Sequence, residues 1–265
     1  MNPILFAVIV LGVLGLAGGA VLVLASRFMA VYEDPRISQV SECLAGANCG
    51  GCGYAGCSDY AEAIVKRGAP TYLCAPGGDK AARAIDQIMG QDSGGHTPVK
   101  AWVACGGGEA CGKKFDYQGI QTCAAAAAVA GGPSACAFGC LGLGDCTRAC
   151  KFDAIHVVKG AAQVDPEKCT GCGACASACP RSVIRIRTAE AGPAVICSNT
   201  DRGAAVTKVC SAGCIGCGIC AKNCPAGAVS IENNLAVIDY EKCTGCGTCA
   251  EKCPKKVIRP ALHSS

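Results

Sequence analysis

The chain has 265 residues, with 24 Lys and Arg against 20 Asp and Glu, and it carries 26 cysteines beside one Trp, five Phe and three His. The formal charge of +4 counts those cysteines as neutral. Cysteines that act as thiolate ligands carry negative charge, so with many of them so used the chain is acidic overall and a nucleic-acid partner is not expected. No Gly-rich phosphate loop follows a strand and no Ser/His/Asp set stands out, so neither an NAD or flavin site nor a catalytic pocket is expected.

From Met1 to Ser26 there is no charged residue, and the run from Ile4 to Leu24, at about 1.5 Å per residue, is long enough to cross a hydrocarbon core of about 30 Å. Residues 1–26 are read as a transmembrane anchor. No basic region precedes the run and it is too long for a signal-peptide core. Arg27 and Arg36 follow the span, which puts the amino terminus outside and the large remainder in the cytoplasm. So many thiols also need that reducing compartment if they are to stay unpaired. Gly12, Gly15, Gly18 and Gly19 leave a thin face where another membrane helix can pack.

Residues 27–91 read as a small four-cysteine domain. Cys49-x2-Cys52-x4-Cys57 is followed by Cys74 across a helical stretch from Ser58 to Arg67, with Ser58 placed to cap the helix and Gly68 to end it. Residues 92–132 read as a linker, Asp92 to Pro98, and a Cys-containing helical segment, Cys123 to Pro133, that ends at Gly131-Gly132.

The strongest pattern comes last. Cys214-x2-Cys217-x2-Cys220-x3-Cys224-Pro225 and Cys243-x2-Cys246-x2-Cys249-x3-Cys253-Pro254 have the ligand spacing of bacterial two-cluster ferredoxins, in which the fourth Cys of each run ligates the other cluster. Cross-ligation assigns Cys214, Cys217, Cys220 and Cys253 to one cluster, and Cys243, Cys246, Cys249 and Cys224 to its neighbour, in a module over 211–265. A second module is read over 133–190, joined by a connector over 191–210. Cys150 to Cys169 is nineteen positions, as is Cys224 to Cys243, with strand-like segments at Ala154–Val158 and Ala228–Ile231 between them. This is an internal repeat. Cys169-x2-Cys172-x2-Cys175-x3-Cys179-Pro180 is regular, but the run before it is Cys136-x3-Cys140-x5-Cys146-x3-Cys150. Cys136, Cys140, Cys146 and Cys179 are assigned to one cluster on a wider loop, and Cys169, Cys172, Cys175 and Cys150 to the other.

These five sites leave Cys43, Cys105, Cys111, Cys123, Cys197 and Cys210. Cys105, Cys111 and Cys123 with Cys197 or Cys210 are enough for a sixth cluster, though no local spacing demands one, and buried free thiols are the alternative. Disulfides fit poorly, because thiols spaced every third residue are badly placed to pair with one another. Structural zinc also uses paired C-x2-C units; the third Cys and the Cys-Pro ending favour iron. His156, in a strand of the repeat, reads as packed or solvent-facing rather than as a ligand. Lys252, Lys255, Lys256 and Arg259, with Arg181, Arg185 and Arg187, are candidates to steer an acidic electron donor, against the alternative of a solvated charged face.

The order of membrane helix, Cys49–Cys52–Cys57–Cys74 domain and ferredoxin-type blocks resembles the B subunit of Rnf complexes, membrane-bound ferredoxin:NAD+ oxidoreductases that couple electron transfer to Na+ or H+ pumping. The second module and the segment from Trp102 to Cys136 make it similar to the longer form of that subunit. The resemblance implies a relay that takes electrons from soluble ferredoxin and passes them to other subunits of the complex in the cytoplasmic membrane, NAD+ reduction belonging elsewhere. Alternatives are an anchored polyferredoxin of a dehydrogenase or a redox-sensor-reducing system, and a zinc-stabilised interaction module. The expected fold is α+β: the anchor, a small helical [4Fe–4S] domain and two tandem ferredoxin-like modules holding two clusters each.

Overall fold

The computed structural model of the chain describes residues 3–28, 34–94, 97–188 and 192–260. Helix α1, Pro3–Phe28, contains one stretch long and apolar enough to cross a membrane, Ile9–Arg27, with mean hydropathy 2.4 and none of its window buried against the rest of the protein. Its leucines and valines from Val10 to Leu24 stand bare. An unpaired apolar surface of that length suits lipid or neighbouring membrane helices.

Three helices form the next unit: α2, Pro35–Cys43, α3, Cys57–Arg67, and α4, Gly78–Met89. They close around Val40, Tyr60, Ile64 and Ile85, all at most 1 % exposed. Helix α3 begins one residue before the expected Ser58 cap. Its first amide, Cys57 N–H, is taken by the Asn48 side-chain carbonyl at 2.8 Å, so the acceptor an N-terminus needs comes from the cysteine loop itself. The other end is as expected: Gly68 lies at φ 65°, and its N–H and that of Ala69 both reach back to the Ala63 carbonyl, the left-handed glycine ending that satisfies a terminal acceptor.

The rest of the described chain is mixed strand and helix. Strand β1 is Val99–Val103; α5, Cys123–Ala128, and α6, Asp145–Ala149, follow; then β2, Ile155–Val158, β3, Ala161–Val164, α7, Ala174–Ser177, and β4, Ile184–Thr188. The series then repeats in shorter form as β5, Ala194–Val195, α8, Gly203–Val209, α9, Ile219–Lys222, β6, Val229–Glu232, β7, Leu235–Ile238, α10, Thr248–Lys252, and β8, Ile258–Arg259. Each half contains a hairpin, β2–β3 or β6–β7, and an antiparallel pair that closes first strand on last, β1–β4 or β5–β8. The hairpin turns, Lys159-Gly160 and Asn233-Asn234, have positive φ at both residues, the two-residue geometry whose twist matches the flanking strands. Strand β1 begins just after the expected linker, so much of the segment read as linker and helix belongs to the first ferredoxin-like half.

The two halves build their interiors from thiols as much as from hydrocarbon. One core joins Ala154, Ile155, Val183 and Ile184 with Cys146, Cys169 and Cys175; the other joins Val229, Ile238, Val257 and Ile258 with Cys214, Cys220, Cys249 and Cys253. A junction lies between them. Arg187, 9 % exposed, sits over the rings of Trp102 and Tyr240 and donates to the Gly192 carbonyl and the Tyr240 hydroxyl. Arg185 also lies over Trp102, and Arg181 donates to the Gly131 and Ala137 carbonyls. Of the arginines read as steering charges, Arg187 is therefore a packing residue and Arg181 is engaged with backbone carbonyls. His156 is exposed on β2 and meets the Asp153 carbonyl.

Candidate iron–sulfur sites

In the helical unit, Cys49 and Cys52 ride on the loop before α3, Cys57 opens that helix, and Cys74 lies on the turn before α4. The turn is pinned by Tyr60, whose hydroxyl donates to the Pro70 carbonyl and accepts from the Leu73 N–H. Burial, with Cys74 and Cys49 close by, pushes the Cys52 thiol up. A Cβ on Gly77 would come 3.1 Å from the Cys74 sulfur, so only glycine leaves that side of the group open.

In the last module, Cys214, Cys217, Cys220 and Cys253 line one cavity with Ile231 and Val257. Cys249 lies beside Cys243 and Cys224, and the Cys246 sulfur is 3.5 Å from the Thr248 hydroxyl. The residue three past the fourth Cys of each run is left-handed, Gly227 and Lys256 here and Asp153 and Ser182 in the first module. That reversal lets the next amide turn back on the thiol: Ala154 and Ala228 donate to the Cys150 and Cys224 sulfurs at 3.4 and 3.3 Å. In the first module Cys150, Cys169, Cys172 and Cys175 share a cavity with Ala101, whose N–H reaches the Cys169 sulfur. Burial and the neighbouring thiols push the Cys175 thiol up to about 12.

The first run of that module differs from the reading of its spacing. The cavity that contains Cys140, Cys146 and Cys179 is completed by Cys123, and Cys136 lines a different one. The reason is in the backbone. Gly142 and Gly144 adopt the same left-handed pair as Gly171 and Gly173, Gly216 and Gly218, and Gly245 and Gly247, so Cys140 corresponds to Cys169, Cys146 to Cys175, and Leu143 stands where Cys172 would. The vacated position is served from outside the loop. The Asp145 carboxylate accepts the Cys123 and Ala124 amides at 2.9 and 3.0 Å, docking the start of α5 on the loop. Two paired glycines were the available signal; counting cysteines alone missed it.

These groups suit a cube better than a single ion. Among the described residues no three His, Cys, Asp or Glu side chains converge as single-ion ligands, whereas the four thiolates of a cube bind four different irons and must stand apart. All 26 cysteines are free. Backbone amides aimed at sulfur stabilise thiolate charge, the usual surrounding of such clusters.

Comparison with known proteins agrees with this chemistry. Three family models match: one described as "Putative Fe-S cluster" over residues 44–76, a "4Fe-4S binding domain" over 162–185 and a "4Fe-4S dicluster domain" over 213–258. The chain is 43% identical over 244 residues to the B subunit of the Na(+)-translocating ferredoxin:NAD(+) oxidoreductase complex of Acetobacterium woodii, covering 91% of this chain and 73% of that one. It is 41% identical over 242 residues to the B subunit of the proton-translocating complex of Clostridium ljungdahlii, covering 90% and 85%, and 42% identical over 238 residues to that of the ion-translocating oxidoreductase complex of Methanosarcina acetivorans, covering 89% and 90%. With identity of this level along nearly the whole chain, the protein belongs to the family of B subunits of ion-translocating ferredoxin:NAD+ oxidoreductase complexes.

Proposed function

We propose that this chain is the electron-transfer subunit of a membrane-bound, ion-translocating ferredoxin:NAD+ oxidoreductase, taking electrons from reduced ferredoxin and relaying them to the membrane subunits. The observation that carries the reading is that the cysteine groups abut from one unit to the next. A Cβ on Gly51 would lie 2.3 Å from the Cys172 carbonyl oxygen, and Lys151 donates to the Ala47 and Asn48 carbonyls, so the Cys49 loop is clamped on the first ferredoxin-like module.

The thiolates proposed to hold [4Fe–4S] clusters are Cys49, Cys52, Cys57 and Cys74; Cys150, Cys169, Cys172 and Cys175; Cys123, Cys140, Cys146 and Cys179; Cys214, Cys217, Cys220 and Cys253; and Cys224, Cys243, Cys246 and Cys249. Such a cluster exchanges single electrons at a potential that its surroundings set. The chain's part is to fix the thiolates, to direct amides at their sulfurs and to keep water out with the aliphatic residues around them.

Cys217 and Cys246 are the two exposed cysteines of the chain, and this exposure supports the last module as the entry point for a soluble donor. Lys252, Lys256 and Arg259 are exposed on the same module and suit an acidic ferredoxin. Helix α1 is proposed to anchor the chain with the cysteine-bearing part in the cytoplasm, because Arg27 closes the span on that side. NAD+ reduction by reduced ferredoxin in inverted vesicles, assayed anaerobically, is expected to vanish without this chain and return with its re-expression. Unchanged activity would assign the chain to another redox assembly.

A further inference from the structure

The two modules surround one equivalent thiol differently. Cys169 and Cys243 each open the second cysteine run of their module, and the strand that passes each is fixed by the same bond: Ala104 N–H donates to the Val183 carbonyl, and Ile196 N–H to that of Val257. That register sets Lys100 and Ala101 against Gly192 and Pro193. In the first module the Lys100 ammonium reaches the Cys169 carbonyl at 2.6 Å, and the Ala101 N–H reaches the Cys169 sulfur at 3.4 Å. The last module can form neither contact. Proline has no N–H to donate, and a Cβ on Gly192 would lie 3.0 Å from the Cys243 sulfur and 3.3 Å from the Gly245 Cα, leaving little room for a side chain.

Arg187 reaches the same place from β4 of the first module. Its Nη1 donates to the Gly192 carbonyl at 2.8 Å and to the Tyr240 hydroxyl at 3.2 Å, and that hydroxyl donates to the Pro193 carbonyl at 3.1 Å. The residue is 9 % exposed, and its Nε and Nη2 are buried with no hydrogen-bond partner among the described residues. Packing between Trp102 and Tyr240 does not account for the charge. Arg187 and Lys100 are direct partners across β1 and β4, where like charges cost stability, and among the described residues no carboxylate forms an ion pair with either. A buried guanidinium stays protonated and calls for an anion close by.

We propose that Arg187 is the counter-charge of the cluster held by Cys224, Cys243, Cys246 and Cys249, supplied across the module junction in place of the cation and amide that Lys100 and Ala101 give the Cys169 group, and that it raises the potential of that cluster. The proposal rests on the assignment of those four thiolates to a cluster. The electron that reduced ferredoxin supplies adds one negative charge there, with no bond made or broken and no proton taken up, so a fixed cation beside the site favours the reduced form. Arg187 acts through the Gly192 backbone that lies against the Cys243 sulfur, so it is a positioning residue for electron transfer. The potential of a group in the last module then depends on a residue of the first.

An EPR-monitored redox titration of the anaerobically purified full chain is the test. Arg187→Met keeps an adaptable apolar chain between the two rings and removes the charge. One cluster component is expected to become harder to reduce by about tenfold in its equilibrium constant, about 59 mV for one electron, with iron and labile sulfide unchanged. Arg187→Lys is expected to recover most of that shift, and Pro193→Ala, which leaves Arg187 in place and adds an N–H, is expected to move the same component the other way. Should Arg187→Met lose iron, Arg187→Gln supplies the neutral variant while keeping a donor for the Gly192 carbonyl. Unchanged midpoints in a fully loaded neutral variant, or a shift that lysine does not recover, would overturn the proposal and leave the cluster assignment standing. A parent chain without labile sulfide, or a Cys246→Ser variant that loses no iron, would overturn the assignment itself.

Discussion

The two ferredoxin-like modules share a hairpin, a closing strand pair and two left-handed glycine pairs each, yet they fill their thiol positions differently. In the last module every run supplies its own cysteines. In the first, Leu143 stands where the other runs have a thiol, and the longer segment between Cys105 and Cys140 brings Cys123 into that cavity; the matching segment of the last module, between Cys197 and Cys214, is shorter. The backbone cradle is thus separable from the thiols it presents. Gly142 and Gly216 pack on the hairpin turns in the same way, each leaving room for a backbone oxygen, of Gly160 or Asn234, 2.6 Å from where a Cβ would stand. A loop held by its hairpin keeps its shape when one ligand moves elsewhere.

The largest expected effect tests what the modules have in common. Their cores hold few aliphatic side chains beside the cysteines, and bound metal contributes about 10–16 kcal/mol to the folding of small structural-zinc domains. Removing iron with a chelator under reducing conditions is therefore expected to melt both modules, while α2 to α4 retain part of their helicity on the Tyr60–Ile64–Ile85 core. Hydrogen exchange of the β2–β3 and β6–β7 amides reads this directly. Retained protection after complete iron loss would show that hydrocarbon packing suffices.

A sharper effect separates the modules. Cys123→Ser is expected to remove one cube, about four irons, and adding Leu143→Cys to that variant is expected to restore it, because the left-handed pair Gly142 and Gly144 already presents position 143 as Gly171 and Gly173 present Cys172. Iron analysis and EPR check both steps. Cys136→Ser is expected to leave the Cys140–Cys146–Cys179 cube in place; its loss there would restore the assignment drawn from spacing. Asp145→Ala is expected to weaken the same cube through loss of two hydrogen bonds to the α5 amides, about 1.5–3 kcal/mol each when the acceptor is charged, with no counterpart in the last module, where Ile219 and Thr248 occupy the equivalent positions.

These variants also mark what could be read in the chain. The regular runs, the nineteen-residue repeat and the anchor are local patterns, so the α+β modules and most of the cysteine groupings follow from spacing. Cys123, not Cys136, lines the cavity of Cys140, Cys146 and Cys179, because that thiol comes from a segment more than a dozen residues away, held by a carboxylate whose role depends on the folded loop. The same limit applies to α3: a helix start one residue early follows from Asn48, nine residues upstream, reaching an amide that a local cap would have taken. Arg187 shows it again, since a charge in a strand gives no sign that Trp102 and Tyr240 will enclose it.

The contact between the helical unit and the first module gives a further prediction. Gly51→Ala places a methyl 2.3 Å from the Cys172 carbonyl oxygen, and backbone on both sides leaves little room to yield; overpacking of this kind costs about 1–3 kcal/mol. The Cys49 loop is expected to lift from the module, weakening the magnetic coupling between the two clusters while the iron count stays the same. The corresponding change at Gly53, whose Cβ would meet nothing within 4 Å but which lies at φ 87°, is expected to strain its own loop without moving the module.

The smallest effect lies inside the helical unit. The Asp86 carboxylate is 6 % exposed and accepts from the Thr71 hydroxyl and from the Ser93 amide and hydroxyl. Burial works to raise its pKa, but the Ser93 and Thr71 bonds outweigh it and hold the group below its ordinary value of 3.8. A depressed folded-state pKa means that the contribution is complete above the unfolded value and is lost only as pH falls through the lower folded one. Asp86→Ala is expected to cost about 1–3 kcal/mol, since the buried Thr71 hydroxyl loses its acceptor, and the difference from the parent in urea unfolding of this unit is expected to stay flat from pH 8 to about pH 6. A slope in that range would mean that desolvation, not the hydrogen bonds, governs the carboxyl, and that the turn before Cys74 loosens under mildly acidic conditions while the ferredoxin-like modules, held by metal, do not.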